Sequence, residues 1–125
     1  MAGTACIYRG EFSPCYIQNS VHKCSAKDEN LNEFLYYWLY FVYHIGYIDS
    51  ICNRATIQHY TGEKLDSTPL LLPPVEEQGS IVEYLDKKIS NIDALIAEKE
   101  VLITDLESYK KSLIFEVVTG KRKVV

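Results

Sequence analysis

Leu70-Leu71-Leu72-Pro73-Pro74-Val75-Glu76-Glu77-Gln78 runs directly into a long amphipathic stretch that closes on Val118-Thr119-Gly120-Lys121. Within it, Leu85, Ile92, Leu106 and Leu113 share one seven-residue register, with Lys99 in the remaining slot. Three residues on come Leu95, Leu102 and Tyr109, and four residues on come Ile89, Ile96 and Ile103. This is a heptad seam widened on one side and sustained over about four heptads. The other face carries Asp86, Lys87, Asn91, Asp93, Glu98, Glu100, Asp105, Glu107 and Lys111. At 1.5 Å per residue, a helix from about Glu76 to Val117 is roughly 60 Å long. That exceeds the diameter of any domain the remaining residues can form, so the apolar stripe needs a partner. The spacing predicts a C-terminal rod that pairs as a coiled coil.

The ends of the rod are equally readable. Pro73 and Pro74 suit a first helical turn, where amide hydrogens have no intrahelical acceptor. Glu76 and Glu77 place negative charge at the positive end of the dipole. Gly120 suits the left-handed position just past the last turn, and Lys121, Arg122 and Lys123 follow the negative end. Gly79 costs about 1 kcal/mol relative to alanine inside a helix and is read as a kink between a docking turn and the rod.

The preceding residues read as an α+β head, giving two regions, 1–74 and 75–125. Thr4 to Tyr8 is expected to be a short strand and Arg9-Gly10-Glu11 a turn. Cys15 to Ser25 alternates in the manner of a second strand, although neither of its faces is cleanly apolar. Asn30 to about Gly46 is expected to be a helix, with Asn30 as cap and Glu33 three residues on. It carries Leu31, Phe34, Leu35, Trp38, Leu39, Phe41, Val42 and Ile45, interleaved with Tyr36, Tyr37, Tyr40 and Tyr43. Such an aromatic run can serve as a stacking platform for single-stranded nucleic acid. Its helical spacing and lack of basic residues favour a buried helix instead.

Leu72-Pro73-Pro74-Val75-Glu76-Glu77-Gln78, Ile81, Leu85-Asp86, Ile92-Asp93-Ala94-Leu95-Ile96, Leu106 and Val118-Thr119-Gly120 together resemble the conserved helical region of type I restriction-modification specificity subunits. Relative to the usual Pro-Pro-hydrophobic-x-Glu-Gln spacing, Glu77 and Gln78 take the place of the Glu-Gln pair. More loosely, Gly3-Thr4-Ala5-Cys6-Ile7-Tyr8, Tyr16-Ile17-Gln18-Asn19 and Ala55-Thr56-Ile57-Gln58-His59-Tyr60 resemble the second half of that family's target recognition domain. The resemblance implies a subunit in which two recognition domains alternate with two helical regions, the paired helices setting the distance between DNA half-sites. A chain of 125 residues holds one helical region and about half of one recognition domain. The expectation is therefore a truncated subunit, lacking strands ahead of Gly3.

Charge bears on this reading. Residues 1–74 carry five basic and seven acidic side chains, and residues 75–125 carry eight and ten, so each region is at −2. A DNA reader ordinarily shows a basic footprint for phosphates. Any DNA contact is thus expected to use a few local side chains, helped by partner subunits. The best candidates lie in Arg54-Ala55-Thr56-Ile57-Gln58-His59, because arginine can bridge guanine and glutamine can pair with adenine in the major groove. The candidate set is Arg54, Thr56, Gln58 and His59, with Arg9, Gln18, Asn19 and Lys23 as further members. A polar loop that only returns the chain to the rod reads from the same residues.

Cys6, Cys15, Cys24 and Cys52 show no Cys-x-x-Cys spacing and read as reduced thiols. There is no signal-peptide pattern and no apolar run of the 18 or so residues that span a bilayer. A cytoplasmic protein with no membrane partner is expected. No phosphate-binding glycine loop, nucleophile-histidine-acid set or paired metal ligands are present. The chain is therefore expected to be a non-catalytic, cofactor-free and metal-free subunit. Its expected partners are the modification (methyltransferase) and restriction subunits, double-stranded DNA in the assembled complex, and a second copy in a homodimer. The dimer or assembly seam comprises Leu85, Ile89, Ile92, Leu95, Ile96, Lys99, Leu102, Ile103, Leu106, Tyr109 and Leu113, with Lys99 reaching an acidic side chain of the partner helix or snorkelling to water. The alternative is a non-DNA-binding assembly module, a remnant or decoy that pairs with another specificity half or with a modification subunit.

Overall fold

The aromatic run does form a helix, and its ends are set by backbone geometry rather than by the expected cap. A computed structural model describes residues 3–52 and 59–124. The helices among them are α1 (Asn32–His44), α2 (Tyr47–Ile51), α3 (Gly62–Asp66) and α4 (Val75–Val118). The chain divides into two compact units, Met1–Tyr84 and Leu85–Val125.

In the first unit, α1 buries Phe34 and Val42. Gly46 then takes the left-handed conformation at φ 78° and ends the helix. A side chain there is strained by its own Cβ. The sharp reversal lets α2 fold back, so that Val42, Ile48 and Cys52 meet in a small core. Trp38, Tyr43, Tyr47, Ile51 and Tyr60 pack around it. Asn30 is not the cap of α1. The N-cap is Leu31, in an extended conformation and without a side-chain cap bond.

The α+β reading of the head is overturned: no strand occurs among the described residues. A strand persists only when a neighbouring strand accepts and donates its ladder bonds. No ladder pairs Thr4–Tyr8 or Cys15–Ser25 among the described residues. Tyr16 is 87% exposed, and Ile17 and Val21 are also exposed, so the 15–25 segment has no apolar face to hold it on a core. It is anchored by single bonds instead. His22 Nε2 lies 2.8 Å from the Tyr60 carbonyl oxygen, and the Ala26 amide donates to Asn32 Oδ1 at 2.8 Å.

Side-chain bonds also tie residues 60–70 to α1. The Trp38 indole N–H donates to the Pro69 carbonyl at 2.8 Å. Thr68 Oγ1 donates to the Lys64 carbonyl at 2.8 Å. Its only proton is thereby used, so the Tyr60 hydroxyl, 2.6 Å away, is the donor in the Tyr60–Thr68 bond.

Among the described residues, the most buried polar side chain is that of Gln78, which has no exposed surface. It sits in the first turns of α4 and is fully bonded. Its Oε1 accepts from the Leu31 amide at 3.1 Å. Its Nε2 donates to Asn30 Oδ1 at 2.7 Å and to the Pro73 carbonyl at 2.8 Å. One amide thus supplies an acceptor to the start of α1 while closing the Pro73 turn onto α4. The Pro74 carbonyl accepts the first helical bond of α4, from the Gln78 amide at 3.0 Å.

From there α4 runs as an unbroken helix from Val75 to Val118, past Gly79. It ends as its sequence predicts. Gly120 is left-handed at φ 74°, and Thr119, Gly120 and Arg122 amides satisfy the Phe115, Val117 and Glu116 carbonyls. No helix of the described residues is long and apolar enough to cross a membrane.

Candidate functional site

Three of the candidate DNA contacts, Arg54, Thr56 and Gln58, lie outside the described residues. The residues that flank them do meet: the buried Cys52 thiol donates to the His59 carbonyl at 3.4 Å. The same carbonyl accepts from Lys64 Nζ at 3.3 Å. His59 itself is exposed.

The remaining candidates fall into separate places. The His22–Tyr60 bond brings the residues next to Lys23 and His59 together. Arg9 instead stands 4.0 Å from Glu33 at the start of α1. Both side chains of that pair reach solvent, so the attraction is worth little. The Arg9 amide also donates to the Glu11 carboxylate at 2.9 Å. Backbone donors, from Glu11 itself and then Arg9, hold that carboxyl below the ordinary range. Gln18 and Asn19 lie in an exposed turn closed by the Val21 amide on the Gln18 carbonyl at 2.9 Å.

A groove of about 410 Å³ runs beside Lys23. Leu35, Trp38 and Leu39 of α1 form one wall, and Leu65, Asp66, Thr68 and Leu70 form the other. Cys24 also lines it. Desolvation and then the nearby Asp66 carboxylate push the Cys24 thiol above its ordinary value. Desolvation likewise raises the Tyr60 hydroxyl. The thiolate is the reactive form, so Cys24 should alkylate more slowly at pH 8 than Cys6 and Cys15, although all three are exposed. Asp66→Asn should speed it. Residue-resolved mass spectrometry of iodoacetamide labelling measures this, and equal rates at the three thiols would contradict it.

Along α1, Tyr36, Tyr40 and His44 form an i, i+4, i+8 row, with Tyr40 and His44 stacked at 4.0 Å between centroids. Tyr40, Phe41 and Ile45 are exposed, so the helix is not buried all round. Among the described residues, no group of three or more His, Cys, Asp or Glu is placed to hold a metal ion.

The second candidate surface is the apolar face of α4. Ile89, Ile92, Leu95, Ile96, Leu102, Ile103, Leu106 and Tyr109 are between 39% and 59% exposed. Leu85 and Leu113 are half-buried, and Lys99 is exposed among them. A row of eight uncovered apolar side chains at heptad spacing is far more than the scattered hydrophobics a soluble surface tolerates.

Two anchoring residues were missed by sequence reasoning. His22 falls in the alternating Cys15–Ser25 run and, beside the scattered cysteines, reads as a candidate zinc ligand, neither of which points to its bond with Tyr60. Gln78 was counted in a motif without a contact. The one signal for Gln78 was an uncharged amide directly after two glutamates at a proline-led helix start.

A family model described as the type I restriction modification DNA specificity domain matches residues 1–105. The chain is similar to the type I restriction enzyme EcoBI specificity subunit of Escherichia coli, at 27% identity over 113 residues. That alignment covers 86% of this chain and 23% of the relative. It is also similar, at 31% identity over 100 residues, to a Methanocaldococcus jannaschii protein provisionally assigned as the type I restriction enzyme MjaX specificity subunit. There the coverage is 80% of this chain and 22% of the relative. The chain thus spans less than a quarter of the length of either relative. No solved structure matches it.

Proposed function

Because the chain belongs to the type I restriction modification DNA specificity family, we propose that it contributes part of a DNA-reading head, residues 1–74, and one helical spacer, residues 75–125, to a type I restriction-modification complex. The observation that carries this is the uncovered heptad face of α4, which is built to be covered by another helix. In this reading the spacer pairs with an equivalent helix, in a second copy or in another specificity half, and docks modification subunits. Methylation and cleavage belong to the modification and restriction subunits in the cytoplasm. Lys99 extends from the seam toward an acidic side chain of the paired helix. Base reading falls to Arg54, Thr56, Gln58 and His59, with Arg9, Gln18, Asn19 and Lys23 in support.

Co-purification with a modification subunit, followed by duplex DNA binding with and without it, tests the assignment. Sequence-specific binding should require the complex, because the head is acidic on balance. In that complex, Arg54→Ala should cost about 1–3 kcal/mol and relax specificity at one base pair if the guanidinium reads a base edge. If it touches phosphate alone, the loss should be equal on all sequences and the salt slope should fall by about one. No change in the complex would leave a pure assembly module as the better description.

A further inference from the structure

The last turns of α4 and the residues beyond them carry charge opposite to that of the rest of the chain. Lys110, Lys111, Lys121, Arg122 and Lys123 stand against a single acid, Glu116, in residues 109–124, a net of +4. Residues 1–108 hold 8 basic and 16 acidic side chains, a net of −8. The fold gathers the cations. Lys111 lies one helical turn before Phe115 on the same face. Gly120, at φ 74°, turns the chain, and Lys121 Nζ comes to lie 4.6 Å from the centroid of the Phe115 ring. Lys111 and Lys121 therefore share one side of the helix, around a ring that is 53% exposed. The Arg122 amide bonds the Glu116 carbonyl at 3.0 Å, which holds the tail against the helix end.

Among the described residues, no ion pair neutralises Lys110, Lys111, Lys121, Arg122 or Lys123. The negative end of a helix dipole amounts to about half a charge and fades within a turn, so it leaves most of the +4 uncompensated.

We propose that this end of α4 is a sequence-independent contact for the phosphate backbone of duplex DNA, separate from the base-reading residues of the head. Four lysines on flexible stems and one arginine suit a ligand that demands charge density rather than fixed geometry. The inference shares the DNA setting of the proposed function but does not depend on the head reading any base.

The test titrates the full chain with a labelled 20-base-pair duplex of arbitrary sequence between about 25 and 200 mM salt. Each phosphate contact contributes about −0.9 to the slope of log affinity against log salt. Replacing Lys121, Arg122 and Lys123 by glutamine should lower low-salt affinity at least about tenfold and flatten the slope by about 2.7. Replacing Lys110 and Lys111 by glutamine should flatten it by about 1.8. Helicity at 222 nm should be unchanged in both. Lys27→Gln and Lys87→Gln, which remove cations outside both the base-reading set and this end of α4, should leave this binding intact, which separates a local contact from a general loss of charge. Three results would overturn the proposal: no binding at the lowest salt, unaltered binding after the triple replacement, or tighter binding to a glutamate polymer than to the duplex.

Discussion

Gln78→Ala should lower the thermal midpoint of the head by about 10–20 °C. The substitution deletes three hydrogen bonds made by a side chain with no exposed surface. It leaves the Leu31 amide, the Asn30 side-chain oxygen and the Pro73 carbonyl without that partner. Orphaned buried groups cost about 1–3 kcal/mol each. Water can reach part of this site, so the sum is set at about 2–4 kcal/mol. A unit of this size loses about 4–8 °C per kcal/mol. Trp38 is the only tryptophan, and its indole bonds the Pro69 carbonyl, so its fluorescence reports this unit selectively. Gln78→Glu sharpens the test. Its carboxylate faces two acceptors where Nε2 now donates, which raises the carboxyl's folded-state pKa above its unfolded value. The variant should be least destabilised at acid pH and lose stability as pH rises through that raised pKa. A shift below about 3 °C for Gln78→Ala would show that the amide is not the anchor.

The pair Leu95→Asp and Leu102→Asp should convert a dimer into a monomer of reduced helicity. Both leucines are about half exposed in the single chain. Burying a leucine contributes about 1.5–3 kcal/mol, and a symmetric pairing counts each twice. The substitution forfeits that gain and places carboxylates on the seam. Without a partner, a helix with this much exposed backbone and apolar surface is only marginally stable in water. Sedimentation at tens of micromolar and circular dichroism at 222 nm measure both effects. A wild-type chain that sediments as a monomer would refute self-pairing and direct attention to a different protein as the cover for α4.

Much of the rod was legible in advance. The expected span, about Glu76 to Val117, differs from the observed Val75–Val118 by one residue at each end. Gly79, read as a kink, lies inside a continuous helix, since one glycine weakens the local preference without removing a hydrogen bond. The left-handed conformation of Gly120 follows from glycine's lack of a Cβ. In the head, the position of α1 was readable, whereas its cap and the two expected strands were not.

The division follows from the range of the forces. Helical hydrogen bonds join residues four apart, and the apolar period is written along the same few turns, so the sequence by itself determined the helix α4, its ends and the register of its exposed face. A strand exists only if a distant segment pairs with it, and alternation in Cys15–Ser25 carries no information about whether such a segment is present. The bond between Gln78 and residues 30–31 spans more than 45 positions of sequence. Only the tertiary structure could decide that this amide is buried and fully bonded, and that the opening residues are held by single side-chain anchors rather than by a sheet.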